Sequence, residues 1–190
     1  MRVPLVSALV LAVALVACRP APVLNPDKDT KALRDQPKVQ RENELAEAPG
    51  GIVQGPAGAS VDLATLWVKS PVVVIFYRGH WCPHCQRQLG ELEKRRAEMG
   101  ALGATLVAIS SDTPEDAAAM KAKLGLGFEL YSDAQLAVIT KWGVEDFGQG
   151  IAKPATFVVQ PGGEITFRKI GDKPEDRPST QAILDALAAN

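Results

Sequence analysis

The residues Val72-Val73-Val74-Ile75-Phe76-Tyr77 form an unbroken apolar run with no position left over for a solvent face. A strand of this kind must be covered on both sides, which points to a central sheet with helices packed on each face. Directly beyond it lies Trp81-Cys82-Pro83-His84-Cys85, so two thiols sit three positions apart where the strand gives way to a helix. The amide groups and dipole of a helix N-terminus stabilise negative charge, and the thiolate is the form of cysteine that attacks disulfides and peroxides. His84 and Arg78 add positive charge nearby, so at least one thiol is expected to ionise below the ~8.5 of a free cysteine.

The 190 residues, 46% hydrophobic and 23% charged, suit one well-buried domain. A formal charge of -1 leaves no excess of Lys and Arg to follow a phosphate backbone, which sets nucleic acid aside as a partner. At the N-terminus Arg2 precedes an apolar stretch that ends in Leu15-Val16-Ala17-Cys18. The pattern resembles a bacterial lipoprotein signal, too short for a spanning helix, with residues 1–17 removed and Cys18 acylated to anchor the chain to a membrane facing the periplasm. Arg19, in place of Asp, points to the outer membrane by the same resemblance. A plain secretory peptide with an incidental cysteine is the other reading. Acylation of Cys18 would leave Cys82 and Cys85 as the remaining thiols, able to bond with each other.

Residues 18–48 mix prolines with closely spaced charges and read as a linker, with a short helix over 31–47 as the competing reading. The folded domain is expected over 49–190. Its predicted elements are a helical turn at 61–66, a strand from Pro71 to Tyr77, a helix from Pro83 to Met99, a strand from Ala104 to Ser110 and a helix capped by Thr113 that runs to Leu124. A strand from Phe128 to Tyr131 follows, then a helix through Trp142 opened by a Ser132/Gln135 capping box. Strands 155–160 and 164–170 join at Pro161-Gly162-Gly163, and a helix from Ser179 to Ala189 closes the chain. The order implies an α/β fold whose central sheet is mixed but mostly parallel, with an antiparallel hairpin at its edge.

A strand, then C-x-x-C, then a helix within an α/β pattern is the signature of a thioredoxin-like redox motif. Four blocks extend the resemblance: Phe76 to Cys85, Leu106 to Asp112, Tyr131-Ser132-Asp133, and Pro154 to Val159 with Gly163. Together they are similar to the peroxiredoxin-like branch of the thioredoxin superfamily, the family named for alkyl hydroperoxide reductase and thiol-specific antioxidant. Fitting the family motif P-x-x-x-T-x-x-C to this chain places Cys85 at the peroxide-attacking position, Cys82 where threonine is usual and Arg78 where proline is usual. The arginine usual just before Ala155-Thr156-Phe157 is replaced by Pro154. Pro154 instead matches the position where thioredoxins keep a cis-proline, and Phe76 stands where they carry a buried acid.

By resemblance to thioredoxins, Cys82 is the nucleophile and Cys85 resolves the mixed disulfide. Trp81 reads either as a cover over the thiols that offers a docking surface or as simple packing. The pair Pro83-His84 matches the periplasmic disulfide-introducing enzyme of the superfamily. Three functions compete: a membrane-tethered thiol-disulfide oxidoreductase acting on exported proteins, a thiol peroxidase resolved through a sulfenic acid, and a tethered binding module with incidental cysteines. The partners implied are a protein dithiol or disulfide, a thioredoxin-like electron partner and a peroxide. His80, Cys82, His84 and Cys85 include metal-binding residue types, but no second pair accompanies them and no metal is expected. No flavin, haem or nucleotide motif accompanies the cysteines, so the pair itself is the expected redox centre.

Overall fold

A computed structural model of the chain describes residues 46–189. The expected signal peptide, the lipidation at Cys18 and the 31–47 helix up to Leu45 lie outside the described residues. Within them the sheet has seven strands: β1 (Ile52–Gln54), β2 (Ser60–Asp62), β3 (Val72–Phe76), β4 (Thr105–Ser110), β5 (Glu129–Ser132), and, beyond a separate two-stranded ribbon of β6 (Glu145–Asp146) and β7 (Ile151–Ala152), β8 (Ala155–Val159) and β9 (Ile165–Ile170). The spatial order is β2-β1-β5-β4-β3-β8-β9. The helices are α1 (Pro83–Lys94), α2 (Arg96–Ala101), α3 (Pro114–Leu124), α4 (Ala137–Lys141) and α5 (Thr180–Ala188).

The sheet is mixed, as expected, but it is not mostly parallel. Parallel pairing is confined to β3 with β4 and β4 with β5, while β1·β2, β1·β5, β3·β8 and β8·β9 are antiparallel. The difference arises at two places: β8 runs antiparallel to β3 in the centre of the sheet, and at the N-terminal side residues expected to form a helical turn are half strand. Val61 pairs with Val53 in a short hairpin, and only Leu63–Thr65 turns, capped by the Asp62 carboxylate on Ala64 N–H at 3.0 Å. Contact with the domain also starts earlier than residue 49: Ile165 N–H donates to Ala46 O at 3.0 Å and Ala48 N–H to Gly163 O at 2.7 Å.

β3 is buried at every residue, and its side chains alternate between two cores. Val73, Ile75 and Tyr77 face a layer with Leu89, Leu92, Met99, Met120 and Ile183, whereas Val72, Val74 and Phe76 face Trp67, Ile139, Trp142 and Phe157. Each of these large side chains contributes about 1.5–3 kcal/mol on leaving water, so the run fixes strand and register together. Phe76 pairs with Ile109 on one side and Ala155 on the other, which brings the ends of β3 and β4 and the start of β8 to one edge of the sheet. The cysteine motif leaves from that edge.

Two expected helices are altered. The helix from Pro83 stops at Lys94, and Arg95, with φ −111° and ψ 14°, separates α1 from α2. Continuing the buried stripe of Leu89 and Leu92 would carry Arg95 or Arg96 toward the core; the break turns both outward, onto Glu98 at 2.7 Å and Glu93 at 3.0 Å. Ser132 does not cap a helix, because it ends β5 and its hydroxyl donates to Asp112 O at 2.6 Å. The neighbouring Asp133 takes over, accepting Ala137, Val138 and Ile139 N–H at 3.1, 2.9 and 2.7 Å. A carboxylate has the lone pairs to satisfy several orphan donors at once, where a hydroxyl serves fewer. Burial nonetheless outweighs these bonds and raises the Asp133 pKa.

Candidate active site

Cys82 is the N-cap residue of α1, with extended backbone (φ −81°, ψ 115°), and Pro83 occupies the first turn, where its missing N–H costs no hydrogen bond. The Cys82 carbonyl accepts Cys85 N–H at 3.0 Å and Gln86 N–H at 3.1 Å, closing the first helical turn around the pair. Both residues are free thiols and both are buried, Cys85 completely and Cys82 to 1% exposure.

The loop before the pair is tied down from β4. Asp112, itself buried, accepts His80 N–H at 2.8 Å, the His80 ring at Nδ1 at 2.9 Å and the Ser110 hydroxyl at 2.9 Å. Gln86 Nε2 closes the other side by donating to His80 O at 2.7 Å. Gly79 lies between Trp81 and Asp112, and a Cβ there would stand 2.5 Å from Trp81 Nε1 and 3.1 Å from Asp112 Oδ1. Only glycine passes that gap. Trp81 is half exposed, and the Arg78 guanidinium lies 5.2 Å from its ring centroid while Nη2 donates to Gln149 Oε1 at 2.7 Å. Phe147, 82% exposed, is on the same turn between β6 and β7 as Gln149.

The two thiols have different surroundings. Burial, the largest cause, pushes Cys85 from 9.0 up to about 11; a neighbouring Arg177 guanidinium opposes this, the Cys82 thiol adds to it, and the Arg78 backbone N–H opposes it. Cys85 is thus a protonated thiol at neutral pH, because its sulfur lies within the core layer of β3 and α1 and burial outweighs the helix N-terminus there; an acidic thiol, expected of at least one member of the pair, is not found at Cys85. Tyr77, buried in the same layer, is raised far above its ordinary value by burial and by the Asp112 carboxylate.

Arg177 was not anticipated. It lies between β9 and α5, 92 positions from Cys85, yet its Nη2 approaches Cys85 Sγ at 3.1 Å. Its Nη1 donates to Gln88 Oε1 and its Nε to Pro174 O at 2.8 Å, while Gln88 Nε2 reaches Thr156 Oγ1 on β8 at 3.4 Å. No local pattern marks such a residue, and the nearest sequence clue is the missing arginine at Pro154. Pro154 itself is not cis: the described residues contain no cis peptide bond. It sits buried just ahead of β8, where an extended backbone suits its fixed φ, and its carbonyl accepts Gly171 N–H at 2.8 Å. A Cβ on Gly171 would lie 3.1 Å from Pro154 Cγ and 2.2 Å from Asp176 O, so the segment bearing Arg177 folds tightly over this proline.

Of the other expected residues, His84 is turned to Arg87, whose Nη2 lies 3.1 Å from its Nδ1, and Pro83 is exposed. Among the described residues no group of three or more His, Cys, Asp or Glu is gathered as metal ligands, and His80 is engaged with Asp112. No helix among them is long and apolar enough to cross a membrane.

Residues 46–168 match the model of the AhpC/TSA family. The chain belongs to that family. Among relatives of this AhpC/TSA protein, a putative peroxiredoxin of Mycobacterium tuberculosis is 32% identical over 134 residues, covering 67% of this chain and 84% of the relative. The thiol-disulfide oxidoreductase ResA of Halalkalibacterium halodurans is 27% identical over 120 residues, 63% of this chain and 64% of that protein. The crystal structure of peroxidoxin BcpB from Mycobacterium tuberculosis superposes with a TM-score of 0.68 at 23% identity, covering 75% of this chain and 94% of that one, which bears on the fold. This AhpC/TSA protein is a peroxiredoxin-like, thiol-dependent oxidoreductase with a thioredoxin-like fold.

Proposed function

We propose that the chain is a thiol-disulfide oxidoreductase in which Cys82 attacks and Cys85 resolves. The observation that supports this most is the asymmetry of the pair. Both thiols are buried, but Cys82 caps the helix next to the half-exposed Trp81, whereas Cys85 lies one turn further along α1 and has its pKa raised to about 11, burial being the largest cause. In the first step the Cys82 thiolate bonds to one sulfur of a substrate disulfide and expels the other as a thiolate, which takes up a proton. Cys85 then loses its proton and attacks Cys82 Sγ, expelling the second substrate thiolate and leaving a Cys82-Cys85 disulfide. Two electrons and two protons pass from the pair to the substrate, and the reverse sequence oxidises a dithiol.

A second reading, a thiol peroxidase, draws on the peroxiredoxin relatives and on the guanidinium beside Cys85, the position the family motif gives to peroxide attack. There the attacking thiolate takes the terminal oxygen of a hydroperoxide, releasing an alcohol or water, and the other thiol condenses with the sulfenic acid to expel water. A thioredoxin-like dithiol would restore the pair in either case. The proposal includes export, with cleavage before Cys18, lipidation there and attachment to the envelope membrane facing the periplasm, the outer membrane being favoured by Arg19.

The test uses Cys82→Ser and Cys85→Ser in the full chain, each challenged with a disulfide-bonded protein and with hydroperoxides. Cys85→Ser should accumulate a mixed disulfide with the substrate protein, released by dithiothreitol, and Cys82→Ser should not. Peroxide consumption that persists in Cys82→Ser and vanishes in Cys85→Ser would replace the first reading by the second.

A further inference from the structure

Arg78, Arg87 and Lys123 approach the cysteine turn from three elements, the end of β3, α1 and α3. Among the described residues none of the three is ion-paired. The Arg78 guanidinium lies over the half-exposed Trp81 and donates to the Gln149 amide at 2.7 Å, Arg87 Nη2 lies 3.1 Å from His84 Nδ1, and Lys123 Nζ donates to Gln86 Oε1 at 3.2 Å. Gln86 is one helical turn beyond Cys82, with its N–H on the Cys82 carbonyl, so the ammonium is brought to the rim of the pair. Four other cations are matched with acids: Arg95 with Glu98, Arg96 with Glu93, Lys121 with Glu129 and Lys169 with Asp176. On a chain of formal charge -1, unpaired positive charge is thus set around the thiols. Asp112 is buried beneath His80, Asp146 holds Gln149 Nε2 at 2.7 Å, and Glu115 and Asp116 in the first turn of α3 bound the positive surface on that side. Phe147, 82% exposed and two residues before Gln149, adds aromatic area to that of Trp81, so the surface is wider than a small anion needs.

We propose that this positive, aromatic rim is the docking surface for an acidic segment of a protein that carries the disulfide or dithiol exchanged at Cys82. The inference rests on the reading of the chain as a thiol-disulfide oxidoreductase. Carboxylates on the segment meet guanidinium and ammonium groups held only by neutral amides and an imidazole, so docking breaks no ion pair and gains charge-assisted hydrogen bonds. Trp81 and Phe147 give apolar contact whatever the charge of the segment, and the cations select its sign.

An exposed ion pair changes affinity by about 1.4- to 5-fold. With three cations on the rim, an acidic segment should exceed a basic one by about tenfold in kcat/KM at low salt. The ratio should fall to about twofold near 0.5 M salt, where the screening length is shorter than the rim is wide.

The experiment follows reduction of peptides closed by one disulfide, identical but for glutamate, glutamine or lysine beside each cysteine, by the full reduced chain at about 0.01 M and about 0.5 M salt. Glutathione disulfide serves as the small anionic substrate. The expected order is acidic, neutral, basic, compressed by salt. Arg87→Glu combined with Lys123→Glu should reverse the order. Lys69→Glu combined with Lys94→Glu makes the same change in net charge at the start of β3 and the end of α1, and should keep it. Each result is a ratio within one protein, so a general change in thiol reactivity cancels. A ratio near one at both salt concentrations, or an equal shift in the two double variants, overturns the proposal. If the Arg87/Lys123 variant loses as much on glutathione disulfide as on the acidic peptide, a small anion replaces the protein segment as occupant. Binding of the same peptides with serine in place of cysteine should repeat the order, and a flat order there overturns the docking surface. Failure of the underlying reading is seen separately, as no turnover of any peptide.

Discussion

The raised Cys85 ionisation makes the stability of the reduced protein depend on alkaline pH in a way that can be isolated. Below pH 9 the thiol is protonated in both folded and unfolded chains and contributes no pH dependence. Above it the unfolded thiol ionises while the folded one, held up to about 11 by burial, does not. The folded state then binds more protons, so stability falls as pH rises, by about 1.4 kcal/mol per unit, until the folded thiol ionises as well. Between pH 8 and pH 10.5 the loss amounts to about 2 kcal/mol from this residue. The assay is urea unfolding of reduced wild type and of Cys85→Ala at several pH values across that range. The alanine variant starts from lower stability because it vacates a core position, but its fall with pH should be shallower by about 2 kcal/mol over the range. All other residues are common to both proteins, so the difference between the two falls isolates what Cys85 contributes, its effect on the neighbouring Tyr77 included. Equal falls in the two proteins would refute the claim that Cys85 is held as a thiol by burial.

Two further substitutions separate the two layers of the fold. Asp112→Ala strands the His80 N–H, the His80 ring and the Ser110 hydroxyl together, and should cost about 2–4 kcal/mol in urea unfolding while slowing thiol turnover, since it frees the loop that positions Trp81 and Cys82; unchanged turnover in the folded variant would show that the loop needs no anchor. Trp142→Ala removes a fully buried ring that lies 4.9 Å from Phe157 and 5.3 Å from Phe76, at an expected cost of about 3–5 kcal/mol. That layer is across the sheet from the cysteines, so the activity of the protein that remains folded should be unaltered, and a selective loss of turnover would show coupling through β3.

What the amino-acid order reveals and what it hides follow from the range of the forces involved. β3 and the start of α1 are legible because their determinants are local: an unbroken apolar run, a proline in the first turn and a thiol spacing that a helix converts into adjacency. Thr113 is legible as a cap for the same reason, its hydroxyl accepting Asp116 N–H at 3.1 Å. The N-terminal hairpin is not, because strands of three residues carry too little pattern to outweigh a helical reading and are defined by pairing, β2 with β1 and β1 in turn with β5. The site divides in the same way. Cys82 and Cys85 are set by spacing, whereas the acidity of Cys85 is set by a core that assembles from β3, α1, α2, α3 and α5, and by an arginine delivered from beyond β9. Helix-terminus electrostatics, the force the sequence makes visible, predicts an acidic thiol. Desolvation, which depends on how the whole chain packs, reverses that prediction for Cys85. The Arg177 contact therefore matters most where local reasoning fails: a guanidinium placed against a buried sulfur offsets part of the desolvation that the fold itself imposes on Cys85.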